Sequence, residues 1–140
     1  MGDNAADQSY GAVVHSLSAG ARLYLLVLHA VGAHWDFPKG HPHRGESTGE
    51  TVRREVREET GCRIALVPGF EESIRYTLPG GEEKQVTFYL ARPRGPAGVK
   101  LPNDEIRGIG WFTFAEASRT ITYDNSREVL ARAEAFLDAR

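Results

Sequence analysis

The sequence predicts an α/β domain, and three observations predict it. Apolar and β-branched runs of strand length recur along the chain, a charged stretch without proline ends at Gly61, and the last residues carry an apolar stripe at helical spacing. Residues 1–9 are polar and acidic, offer nothing to bury, and are expected to form a flexible N-terminal arm ahead of a single domain over residues 10–140. Ala12 to Leu17 and Leu23 to His29 read as two strands of a hairpin, because Ser18-Ala19-Gly20 between them is a turn signal. Trp35 to Pro38 reads as a short strand cut off by proline, which removes a ladder donor, and a loop follows from Lys39 to Gly45.

From Ser47 or Thr48 to Thr60 the chain is dense in Arg and Glu, and Gly61 is the residue expected just past a helix end. Arg63 to Val67, Glu71 to Leu78 and Lys84 to Ala91 read as strands, with Pro79-Gly80-Gly81 folding the last two into a hairpin. Arg92 to Pro102, with prolines at 93, 96 and 102, has the length of a functional or mobile loop. Ile109 to Phe114 is a further strand, and Asp124, Asn125 or Ser126 is expected to cap a helix whose Val129, Leu130, Ala133, Phe136 and Leu137 share one face.

Composition narrows the function classes. With 140 residues, 41% hydrophobic and 26% charged, the chain can build a packed core without staples. A net charge of −2 gives no long-range pull toward polyanions, and no basic run stands out, so neither a nucleic-acid nor a membrane partner is expected. The one cysteine, Cys62, can form neither an internal disulfide nor a zinc site alone. Leu23 to Val31 is too short to cross a bilayer and the N-terminus lacks the pattern of a secretory signal, so a cytoplasmic location is expected.

The chemistry gathers at Gly40, Glu46, Arg54, Glu55, Glu58, Glu59 and Gly61. On a helix, positions 55, 58 and 59 fall within a sector of roughly 100°, so three carboxylates converge on one face. Helix propensity asks for no such cluster, and a hard cation such as magnesium would relieve its repulsion, since it prefers carboxylate oxygens and keeps sites for water and phosphate. Val52 and Val56 lie beside the sector and would press the helix onto the sheet. Arg54 can grip a carboxylate with two prongs, and Glu46 is its expected partner. Taken alone, such a helix also reads as a solvated face whose Arg and Glu pair three and four residues apart, and that plain reading is the more frequent.

The spacing of the whole segment reverses that judgement. Gly40, five residues, Glu46, seven residues and Arg54-Glu55-Val56-Arg57-Glu58-Glu59-Thr60-Gly61-Cys62 resemble the Nudix box, G-x5-E-x7-R-E-U-x-E-E-x-G-U, at every fixed letter. Cys62 stands where the pattern has an aliphatic residue, and a buried thiol behaves as a small hydrophobe. Between about Gly11 and Leu137 the resemblance continues: Trp35 to His41, Gly69-Phe70, Tyr76, Lys84, and Glu105 ahead of Trp111 look like the asymmetrical diadenosine tetraphosphate hydrolases. His43 departs from relatives that often carry an acidic residue in that loop.

The resemblance implies a Nudix fold, a mixed sheet between helices in an α/β/α sandwich. It implies Mg2+, with Mn2+ as a substitute, held by Glu55, Glu58, Glu59, the Gly40 carbonyl and Glu105. It further implies hydrolysis of diadenosine tetraphosphate to ATP and AMP, with Glu55 as the base that takes a proton from water and Glu59 and Glu105 as other candidates. Arg54 and Glu46 would complete the catalytic set. Lys39, His41 and Lys84 would bind phosphates, although surface lysines are usually only solvated, and Tyr76 would stack on adenine, although a strand tyrosine is more often filler. His34 and Trp35 read as mouth or packing residues, and His15 and His29 as satisfied core histidines. A nucleoside triphosphate sanitiser, an RNA 5′-pyrophosphohydrolase or a diphosphoinositol phosphatase could use the same box. A nucleotide-sensing module without catalysis would be expected to lose a box glutamate, and none is missing. The sequence does not set the oligomeric state.

Overall fold

Alternation along the first strand divides the core in two. Val13 points into one hydrophobic cluster and Ala12 and Val14 into another, because successive side chains of a strand face opposite sides of its sheet. The computed structural model describes residues 7–100 and 103–140. Its strands are β1 (Asp7–Ser18), β2 (Ala21–His29), β3 (His34–Asp36), β4 (Lys39–Gly40), β5 (Ile64–Thr77), β6 (Glu83–Pro93) and β7 (Ile106–Thr113). The helices are α1 (Thr48–Thr60), α2 (Phe114–Thr120) and α3 (Asp124–Asp138).

The sheet runs β3-β2-β1-β6-β5, with β4 on β1 and β7 on β2. It is mixed, since β1 pairs parallel with β6 and antiparallel with β2. Helix α1 covers one face through Val52 and Val56, packed with Ala12, Val14, Leu25, Cys62, Ile64 and Ala91. Helices α2 and α3 cover the other through Ala117, Val129, Leu130 and Ala133, against Phe37, Phe70, Phe88 and Tyr24. The expected α/β/α layering is therefore the observed one, and Cys62 is a buried apolar residue of the α1 layer.

Several boundaries differ from the sequence expectations. Strand β1 begins at Asp7, with Ser9 buried, because residues 7–9 find ladder partners in Lys84, Gln85 and Val86. The expected arm thus loses its last three residues, and Met1 to Ala6 lie outside the described residues. The segments read as strands 63–67 and 71–78 are one strand, β5, interrupted by an irregularity between Val67 and Glu71. Pro93 closes β6, and the segment after it is pinned: Lys100 N donates to Thr60 O, and Trp111 Nε1 to Ala97 O. Leu101 and Pro102 lie outside the described residues. Helix α2 has no counterpart in the sequence reading, although Thr113 and Glu116 form a reciprocal capping box at its start. None of Asp124, Asn125 and Ser126 caps α3, whose N-cap is Tyr123 without a side-chain bond. Ser126 is instead drawn inward, its hydroxyl donating to the buried carboxylate of Asp36 at 3.2 Å, which ties α3 to β3.

Candidate active site

The site lies where β4 pairs with β1 and meets α1. Gly11 allows the close approach: a Cβ there would stand 2.3 Å from Pro38 O and 2.6 Å from Lys39 Cβ. Tyr10 and Gly11 pair with Gly40 and Lys39, so the loop expected from Lys39 to Gly45 opens as a short strand fixed to the sheet. Helix α1 is anchored at both ends, by a capping box between Ser47 and Glu50 and by Gly61 in the left-handed conformation at φ 82°.

Arg54 organises the carboxylates around it. Its Nε donates to Glu46 Oε2 at 2.6 Å, Nη1 to Glu55 Oε2 at 3.0 Å and Glu58 Oε1 at 2.9 Å, and Nη2 to the His41 carbonyl at 2.8 Å. The Arg54 and Glu46 pair stands as the sequence suggested. Glu46 also accepts from His43 N and Thr51 Oγ1. The guanidinium first, then the His43 amide, hold the Glu46 carboxyl down at about 2.

Glu59 lies deeper, against β4, and accepts from Lys39 N at 3.2 Å. Burial first, then the neighbouring charge of Glu55, push its carboxyl up to about 8. Burial likewise raises Glu55, against the pull of Arg54. Gly40 faces Glu55 so closely that a Cβ would stand 2.1 Å from the carboxyl carbon. Its glycine therefore serves close approach, whereas Gly45, at φ 84°, serves the turn. Glu58 is 56% exposed at the rim. Glu105 precedes β7 and lines the same concavity as Lys39, Gly40, His41, Glu55 and Glu59. Among the described residues no three acidic, histidine or cysteine side chains already stand as a cation cage. The donor set is nevertheless one of hard oxygen ligands, and a cation would offset both the burial and the Glu55 charge that raise Glu59.

A second cavity, of about 580 Å³, opens on the other side of Lys39. His34, Asp36, Tyr76, Val86 and Tyr123 help to line it, and Lys39 lines both concavities. Tyr76 is packed against the α2–α3 core cluster, so it serves as wall and as cavity surface together. Tyr123, 51% exposed, escaped the sequence reading. The one available signal was an aromatic residue outside any apolar stripe, immediately ahead of a helix.

The remaining candidates separate. Lys84 pairs with Tyr76 across β5 and β6, and burial, then the charge of Lys39, lowers its pKa, but it lines neither concavity. His41 stands 3.0 Å from an Asp7 carboxylate oxygen. Trp35 packs edge-on against Phe112 with centroids 5.6 Å apart, which makes it a packing residue. His34 lines the larger cavity and stacks on His29 at 4.8 Å. His29 Nε2 lies 3.3 Å from Phe37 O, while His15 Nε2 is buried without a partner, so only one of these two is a satisfied core histidine.

Layering and acidic cleft together place the chain in a class. The NUDIX domain family model matches residues 10–133, and the chain belongs to that family. It is a Nudix hydrolase, and Nudix hydrolases generally use divalent metal ions such as Mg2+. The chain is 32% identical over 113 residues to the asymmetrical bis(5′-nucleosyl)-tetraphosphatase of Mus musculus, covering 74% of this chain and 72% of that one. It is 33% identical over 98 residues to the 8-oxo-(d)GTP phosphatase of Mycolicibacterium smegmatis, covering 70% of this chain but only 29% of that longer protein. A C. elegans Ap4A hydrolase crystallised as a binary complex superposes with a TM-score of 0.86 at 26% identity, over 95% of this chain and 98% of the other.

Proposed function

We propose that this hydrolase cuts the polyphosphate bridge of dinucleoside polyphosphates, taking diadenosine tetraphosphate and water to ATP and AMP. One observation carries the reading: a cavity lined by Tyr76 and Tyr123 adjoins the carboxylate cluster, with Lys39 on the boundary of both. The likeness to the mouse tetraphosphatase over most of both chains supports it.

In this reading the two tyrosines offer flat faces to adenine, a contact that any purine satisfies. Lys39 donates to the phosphates between base and cleft, and His41, on the wall of the same cleft, offers a further N–H donor. Glu55, Glu58, Glu59, Glu105 and the Gly40 carbonyl would hold magnesium. When bound, the metal supplies charge neutralisation for phosphate oxygens and a more acidic water. Glu55, the box carboxylate that the family resemblance singles out, would take the proton of the attacking water, with its carboxyl held against Gly40. Arg54 is a positioning residue, fixing Glu55 and Glu58 while Glu46 fixes Arg54. The likeness to the mycobacterial 8-oxo-(d)GTP phosphatase favours a second reading, in which the substrate is a nucleoside triphosphate.

Product identification separates the two. Incubation of diadenosine tetraphosphate with protein and magnesium is expected to yield ATP and AMP in equal amounts. Faster hydrolysis of 8-oxo-dGTP, to either the diphosphate or the monophosphate, would transfer the assignment to the second reading.

A further inference from the structure

No basic run exists in the sequence, yet the fold assembles a basic groove. Arg53 and Arg57 of α1 join Arg63, just before β5, and Arg94, just after β6, around a concavity of about 700 Å³. A backbone bond from Arg94 N to Arg63 O, 2.7 Å long, sets the last two side by side. All four arginines are exposed, and none has a salt-bridge partner among the described residues. Such a concentration of unpaired guanidinium groups is costly by mutual repulsion, and anions relieve it. Guanidinium groups favour phosphate through paired N–H donors.

Two carboxylates line the groove as well, and both are engaged. Glu50 accepts from Ser47 N within the capping box, and Glu58 accepts from Arg54. Arg54 and Glu58 also belong to the hydrolytic concavity, so the groove begins where that one ends.

Angular position decides what can lie there. Arg53 and Arg57 are each about 160° around α1 from Glu55, so a ligand reaching both flanks must cross a helix roughly 10 Å wide. A tetraphosphate held at the carboxylates is too short to do so and still place a nucleoside in the tyrosine cavity. A polynucleotide strand repeats its phosphates without limit. Neither a tyrosine nor a tryptophan lines the groove, so the contact would be with backbone rather than bases. A flexible strand can also adjust its phosphates toward the arginines and away from Glu50 and Glu58, which the fixed phosphate spacing of a duplex permits less readily.

We infer that Arg53, Arg57, Arg63 and Arg94 form a docking surface for the phosphodiester backbone of a single-stranded polynucleotide, independently of which nucleotide the neighbouring cleft hydrolyses. The test is fluorescence anisotropy of a labelled oligo-uridylate of about twenty nucleotides, longer than one such groove covers, titrated across salt concentrations. Neutralisation of four phosphates gives a slope of log affinity on log salt near about −3, a roughly fifty-fold weakening between 50 and 200 mM salt. The variant R53A/R57A/R63A/R94A is expected to lose the binding with an unchanged melting temperature, and each single alanine substitution to reduce the slope by about 0.7. The fourfold lysine variant keeps the charge and keeps the slope, which separates binding from a folding defect. Absence of salt-dependent binding, or binding unaltered in the fourfold alanine variant, overturns the inference. So does equal affinity for a duplex of the same length or for polyglutamate, because either would reduce the groove to general attraction for acid.

Discussion

The two faces of the sheet are built from different materials. Under α1 the packing residues are small or β-branched, such as Ala12, Val14, Val52, Val56 and Ala91. Under α2 and α3 they are bulky: Tyr24, Phe37, Phe70 and Phe88, with Phe37 and Phe88 meeting edge-on at 5.2 Å. The first choice brings backbone close to backbone, which lets α1 hold its carboxylates against β4, with Gly11 against Pro38 and Lys39 and Gly40 against Glu55. The second leaves room at the layer's edge for a cavity walled by rings. In the proposed function, chemistry and recognition fall on opposite faces and meet at Lys39, so changes on one face should leave the other's measurable intact.

The largest expected effect belongs to the α1 face. Glu55→Gln should lower kcat by about a thousandfold with the fold intact, the scale of losing a general base. A rate within a factor of a few of the parent would mean that Glu55 is not the base. Gly40→Ala should follow, with kcat down about a hundredfold, because the new methyl displaces the Glu55 carboxyl and reacting groups tolerate little misplacement. The neighbour is the end of a side chain, so the melting temperature should scarcely move; a large drop would show that the glycine serves the backbone instead.

On the opposite face, Tyr76→Ala and Tyr123→Ala should each raise KM about tenfold and leave kcat nearly unchanged, as expected for base stacking. Loss in kcat alone would merge the two faces into one site. The smallest effect concerns His29, whose pKa burial lowers from 6.5 to about 4, with the charge of Lys39 next in weight. The folded state therefore binds fewer protons than the unfolded one between those values, so the stability is present above about 6.5 and lost as pH falls through 4. His29→Gln keeps a polar group near Phe37 O and removes the titration, and acid unfolding curves should flatten in that window. An identical slope would assign the acid sensitivity to His34 or His15, which burial also lowers.

Much of this was legible from residues alone. Local signals determined α1: a serine cap with Glu50 three residues on, a terminal glycine, and carboxylates spaced to share a face. Those signals act within a few residues of backbone and survive any tertiary arrangement, which is also why Glu46 and Arg54 could be paired in advance. The capping box of α2 was equally local, and Thr113 with Glu116 would have revealed it.

What the tertiary structure alone decided depends on contacts between distant segments. The pairing of β4 with β1 rests on Gly11, whose role is invisible without Pro38 beside it. Tyr123 meets the cavity of Tyr76 where Ser126 ties α3 to Asp36, and the four arginines of the groove are neighbours because β5 begins and β6 ends beside α1. Sequence periodicity reports which way a side chain points from its own element. It carries no information about which other element that side chain will face.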